Sequence, residues 1–235
     1  MPEGEDVSAW SGERHDMPEG EGVSAWSGER PDMPEGEGIP ASSGGRPEAA
    51  GPERTRFRPA TAHDAATVAA LHADSWRRNY RGAYTDAFLD GHVLAERLAF
   101  WTERLREQTS DRFTILAEEA GSLVGFAYSI LDEDPTWGAL LDNLHIAHTH
   151  QRQGIGTRLM ALTAEAILEQ RPSSGLSLWV LEQNVRAQRF YEARGGRRVD
   201  RDHVHLAGGD PTRLRGEVPK LCYAWPDPAA LLIAG

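Results

Sequence analysis

The sequence predicts an α/β domain, a mixed sheet of about seven strands with helices on both faces, preceded by an acidic tail. Three observations carry that expectation. Apolar patterns of period 2 and period 3.6 follow one another through residues 54–235 in the order β-α-α-β-β-β-α-β-α-β-β. A glycine loop, Gln151-Arg152-Gln153-Gly154-Ile155-Gly156, stands between an apolar strand and a helix. The stretch before residue 54 opens with three copies of a 16-residue unit, starting at Met1, Met17 and Met33.

Residues 55–59 read as a first strand, and Thr61 is placed to cap a helix over residues 62–73, with Val68 and Leu71 on one face. Residues 75–90 are aromatic and polar with turn residues, which suggests a short helix with a loop. Leu94, Leu98, Trp101 and Leu105 recur at helical spacing and predict a second amphipathic helix. Residues 113–117 alternate as a strand, and a turn at Gly121-Ser122 leads into residues 123–131 as its hairpin partner. A fourth strand is expected over 140–147, a helix over 154–170 and a fifth strand over 176–181. Asn184 can cap a helix that stops at Gly195-Gly196, before two closing strands at 197–202 and 218–225.

The repeats are rich in Pro, Gly, Glu and Ser and too short to bury a core, so residues 1–53 are expected to be a disordered acidic tail. Residues 54–235 are expected to be the folded domain. The tail holds −10 of the net charge of −11, which leaves the domain near neutral and argues against a nucleic-acid partner. No apolar run reaches 18 residues, and the N-terminus is acidic where a signal peptide is basic and then apolar. A cytoplasmic protein without a membrane partner is expected. The single cysteine, Cys222, excludes an intrachain disulfide and reads as a small buried apolar residue.

The glycine loop carries the chemistry. Strand, glycine loop and helix in that order converge unpaired N–H groups and the positive end of a helix dipole, a site for phosphate or pyrophosphate. A dinucleotide fingerprint needs a third glycine where Leu159 stands, and a P-loop needs Gly-Lys where the chain has Gly156-Thr157. His145, His148 and His150 are close in sequence, but they run from strand into loop on alternating faces, so no metal site is expected.

Four stretches in order resemble the GNAT superfamily of acyl-CoA-dependent N-acetyltransferases. They are Phe57-Arg-Pro-Ala-Thr with Asp64, Ser75-Trp76-Arg with Tyr80-Arg-Gly82, the Gln-x-x-Gly-x-Gly loop, and Glu182-Gln183-Asn184 with Phe190-Tyr191 and Gly195-Gly196. The resemblance spans about residues 54–227. It implies a mostly antiparallel sheet splayed between strands four and five, and acetyl-CoA as cosubstrate. An acetyl group would pass to a primary amine by direct attack in a ternary complex, with no acyl-enzyme. A non-catalytic acyl-CoA sensor or interaction module with the same fold is the alternative.

The resemblance also implies roles for residues. The N–H groups of Arg152, Gln153, Gly154, Ile155, Gly156 and Thr157 would hold the pyrophosphate, aided by Arg152 and Arg158. Leu144, His145 and Ile146 would pair with the pantetheine arm, and an N–H among them would stabilise the oxyanion. Asn184 would contact the pantetheine or the acceptor, and Tyr191 would protonate the departing thiolate; the first is also a good N-cap, the second a plausible core aromatic.

An alkylamine with a pKa near 10.4 costs roughly 4.6 kcal/mol to deprotonate at pH 7, so a general base or a water chain is expected. Many superfamily members place a glutamate early on the fourth strand, where this chain has Leu140. Asp142 is the first candidate, His145 the second and Glu182 the third. Trp76, Tyr80 and Tyr84 either line the acceptor pocket or pack. The acceptor is a small-molecule or peptide amine, and a homodimer stays open.

Overall fold

The computed structural model describes residues 8–9, 55–107, 109–205 and 210–233. Seven strands form one sheet: β1 (Arg56–Pro59), β2 (Arg112–Glu119), β3 (Ser122–Asp134), β4 (Gly138–Ile146), β5 (Leu176–Leu181), β6 (Arg197–His203) and β7 (Pro219–Trp225). Their order across the sheet is 1-2-3-4-5-7-6. Every pair is antiparallel except β4–β5. The expected mixed, mostly antiparallel sheet is therefore present. The β2–β3 hairpin turns through Ala120 and Gly121, both at positive φ (50° and 74°), which matches the twist of the flanking strands.

β4 and β5 pair only at Ala139–Leu176 and Leu140–Ser177, near where each begins. Beyond that point they part, and the β4 edge from Leu141 to Ile146 is not paired with β5. This is the expected splay. The short strand Ser8–Ala9 lies antiparallel on that edge, opposite His145 and Leu144. The expected disordered tail otherwise lies outside the described residues, and at these two residues the structure records a strand instead.

Helices α1 (Ala65–Asn79) and α2 (Val93–Arg106) cover one face of the sheet, packing Val68, Trp101 and Leu105 against Leu116, Phe126 and Tyr128. On the other face, α3 (Ile155–Gln170) and α4 (Val185–Ala193) bring Leu159, Ile167, Phe190 and Tyr191 against Leu178 and Tyr223. Full burial of a Leu or Phe side chain contributes about 1.5–3 kcal/mol, so these two seams supply most of the driving force.

The structure corrects two expectations. α1 runs six residues past Ala73, to Asn79, so Ser75-Trp76-Arg77 continues the first helix and is not part of a separate short one. α2 buries Val93, Arg97, Trp101 and Leu105, spaced by four, while Leu94 and Leu98 are exposed at 43% and 42%. A buried arginine thus replaces two predicted leucines. Arg97 is accommodated because its guanidinium lies 4.5 Å from the Trp76 ring and 4.3 Å from the Phe100 ring, and donates to Glu96 at 2.6 Å.

Candidate active site

The glycine loop folds into the end of the splay. Arg152 (φ 65°) and Gly154 (φ 81°) are both left-handed, and Gly154 is the N-cap of the 16-residue helix α3. A side chain is disfavoured in that backbone region, by roughly 1–2 kcal/mol, which is why glycine stands at 154. A Cβ built there meets nothing within 4 Å, so the loop backbone faces open space. The open space is a concavity reaching from Ile146 at the end of β4 to Phe190 on α4, floored by the first turn of α3. N–H groups in the first turn of a helix have no carbonyl four residues back, so those of Ile155, Gly156 and Thr157 are available to an anion.

A second glycine sets the depth of this site. Gly125 on β3 pairs with Ile146, and a Cβ on it would come within 2.8 Å of Ile146 Cδ1 and 3.3 Å of Ile155 Cγ2. The start of α3 therefore lies close on the β3–β4 surface only because residue 125 has no side chain. Sequence reasoning missed it, since a lone glycine inside an apolar strand carries no such signal.

A bulge reshapes β4. Tyr128 pairs with Asn143 and Ser129 with Leu141, which leaves Asp142 as the extra residue. In an unbroken strand Asp142 would share a face with Leu144 and Ile146. Instead Asp142 and Asn143 sit together, Asn143 Nδ2 donating to Asp142 Oδ2 at 2.8 Å, both buried. Asn143 alternates with His145, which bonds Ser75 on α1, so the carboxylate that Asn143 holds belongs to the α1–α2 side of the sheet.

The other two candidate bases fare worse. His145 is fully buried, its Nδ1 hydrogen-bonded with Ser75 Oγ at 2.8 Å, and burial lowers its pKa to about 3. Such an imidazole stays neutral, and its Nδ1 is already engaged by Ser75. Glu182 is on the surface, paired with Arg201 at 2.8 Å, which lowers its pKa. Asp142 is the remaining candidate of the three.

Asn184 is the N-cap of α4, its Oδ1 accepting from the Ala187 N–H at 3.1 Å. Tyr191, almost two turns along α4, is wholly buried, its ring 6.0 Å from Tyr223 and 6.1 Å from Trp225. Arg152, Gln153 and Thr157 lie in the loop and first turn; Gln153 Nε2 reaches the Thr149 carbonyl at 3.4 Å, and Arg158 pairs with Glu165 at 3.3 Å. Trp76, Tyr80 and Tyr84 are buried and packed on one another, with centroids 5.0–5.9 Å apart. Of the three neighbouring histidines, His145 points into α1 while His148 and His150 form a 3-10 turn. Among the described residues, no group of three His, Cys, Asp or Glu side chains is placed to hold a metal.

Two further residues were not legible in sequence. His72 on α1 packs tilted against His145 of β4, ring centroids 4.4 Å apart, and accepts from Trp101 Nε1 on α2 at 2.9 Å. Gln183 Nε2 donates to the carbonyls of Asn79 (3.1 Å) and Arg81 (3.0 Å), fastening the C-terminus of α1 to the β5–α4 turn.

Comparison with known proteins bears on this geometry. Residues 68–196 match the Acetyltransferase (GNAT) family. The chain is 30% identical over 176 residues to YuaI of Bacillus subtilis, described as an uncharacterized N-acetyltransferase, covering 74% of this chain and 94% of YuaI. The PaiA N-acetyltransferase of Thermoplasma acidophilum, solved in complex with coenzyme A, has a similar fold with a TM-score of 0.54 at 19% identity, covering 71% of this chain and 98% of that one. NAA60 of Arabidopsis thaliana, solved with a bisubstrate analogue, gives 0.53 at 16% identity, covering 73% and 97%.

Proposed function

The chain belongs to the GNAT acetyltransferase family, and we propose that it moves an acetyl group from acetyl-CoA to a primary amine by direct attack in a ternary complex. The observation that carries this reading is the left-handed loop at Arg152 and Gly154, opening on the N-terminus of α3 at the end of the β4–β5 splay. The residues fit the cosubstrate's chemistry. Backbone donors from Arg152 to Thr157 bind its pyrophosphate, and the β4 edge at Leu144, His145 and Ile146, which β5 leaves uncovered, offers main-chain groups to the amides of its pantetheine arm. Ser8–Ala9 uses the same edge in the structure, so that segment and the arm are alternatives there.

In this reading Asp142 takes the amine's proton as nitrogen attacks the thioester carbon. The oxyanion is held by a β4 N–H, and Tyr191 gives its proton to the departing thiolate. Direct attack is favoured over an acyl-enzyme because Cys222, on β7, is buried and its thiol is pushed up to about 12, leaving almost no thiolate at neutral pH. Release of free coenzyme A thiol is the test, with acetyl-CoA and four amine classes: a peptide with a free N-terminus, an aminoglycoside, a polyamine and an amino acid. Turnover with at least one supports the reading. Tight acetyl-CoA binding with no turnover on any of them contradicts it.

A further inference from the structure

The β4 edge inside the splay is covered by the chain's own N-terminal segment. Ser8–Ala9 pairs antiparallel with it, Ser8 opposite His145 and Ala9 opposite Leu144, and lies beside β5 as well. A strand edge takes an extended backbone through ladder bonds that ask nothing of the side chains. The segment and the amide-bearing pantetheine arm therefore offer this edge the same kind of partner. Ser8 is the end nearer the glycine loop, and in sequence Glu5 and Asp6 come shortly before it. Acid followed by amides is also the order in the cosubstrate, whose pyrophosphate precedes its pantetheine arm.

The repeats supply a second copy of the segment. Val7-Ser8-Ala9-Trp10 recurs unchanged as Val23-Ser24-Ala25-Trp26, with Glu21 standing to Ser24 as Glu5 stands to Ser8. In the third unit the matching residues are Ile39-Pro40-Ala41-Ser42, and a proline at the Ser8 position has no N–H to give a ladder. We propose that the two Val-Ser-Ala-Trp segments are tethered competitors of acetyl-CoA for the β4 edge, an inference that rests on the cosubstrate reading above. A tethered segment needs little affinity of its own, because tethering holds it at an effective concentration on the order of mM. Residues 27–54 span about 90 Å when extended, so the second copy has the reach to replace the first. Coenzyme A binds only while the edge is open, so its apparent Kd is the intrinsic value divided by the open fraction. The tail thus sets the acetyl-CoA concentration at which the site fills and leaves the chemical step alone.

In an antiparallel ladder only alternate residues exchange hydrogen bonds with the partner, so replacing both residues of a pair removes the bonded one. The test variant is the full chain carrying Ser8→Pro, Ala9→Pro, Ser24→Pro and Ala25→Pro, which keeps length and charge. Calorimetric titration with coenzyme A is expected to give a Kd about fivefold or more below that of wild type, which corresponds to a wild-type edge open about one-fifth of the time. Binding by the variant alone supports the proposal in the same way. Equal Kd values overturn it, and a tail that acts only through its acidity gives that result. Weaker binding by the variant overturns it too. If neither protein binds coenzyme A, the cosubstrate reading fails and the competition falls with it. Two proteins that bind equally well remove the competition alone.

Discussion

Asp142 and Asn143 are neighbours in sequence and yet share one side of the sheet, joined by a 2.8 Å hydrogen bond, because the bulge in β4 gives them a single partner position on β3. The bulge turns a carboxylate that strict alternation would send toward α3 onto the face where α1 ends. Asp142→Asn keeps the volume while removing the charge. It is expected to lower kcat by roughly 100-fold with the melting temperature nearly unchanged. Retention of most of the wild-type kcat would assign the proton to another group or to water.

Tyr191→Phe should lower kcat by roughly 10- to 100-fold, with little change in KM for acetyl-CoA, because a proton donor to the thiolate acts in the transition state and not in binding. Steady-state kinetics with varied acetyl-CoA check this. Wild-type values of both parameters would leave Tyr191 as a packing residue beside Tyr223 and Trp225.

The buried histidines tie stability to pH. His145 titrates near 6.5 when unfolded and near 3 in the folded protein, and His72 is lowered in the same direction by burial. The unfolded chain therefore binds more protons between these values, so stability falls as pH drops from about 6.5 toward 3. At pH 5 His145 alone accounts for a loss of about 2 kcal/mol relative to neutral pH. Melting curves from pH 7.5 to 5 should show the decline, and His145→Gln should flatten it. A His145→Gln profile as steep as wild type would place the origin elsewhere.

Ser8–Ala9 adds only two residues to the β4 edge. Removing residues 1–53 should leave the melting temperature unchanged and acetyl-CoA binding no weaker, since the segment and the pantetheine arm would use the same main-chain groups. Calorimetry on both lengths of chain decides it. Weaker binding after truncation would mean that the tail contributes to the cosubstrate site.

The sequence made the sheet legible wherever local pattern and local structure agree. β5 at Leu176–Leu181 stands where the apolar run between breaker residues put it, and α3 starts after Gly154, where the loop predicts. The end of α1 was hidden because Ser75, Trp76 and Asn79 carry weak helical preference, and the helix is held there by tertiary packing. Arg97 was hidden because counting apolar residues cannot find a cation that lies between two aromatic rings. At the candidate site the loop and Tyr191 were visible as motifs. The bulge at Asp142, the Ser75–His145 bond and the Gln183 clasp were not, because each depends on residues far apart in sequence or on a single inserted residue with no signature of its own.

The measurement closest to the heart of the account is a calorimetric titration of coenzyme A into the full chain and into Gly154→Glu. The substitution sets a carboxylate over the open loop at a position where the backbone is left-handed. Saturable binding is expected for wild type and a loss of about 100-fold or more in the variant, with α3 still folded by circular dichroism. Equal affinity for coenzyme A in the two proteins would contradict it.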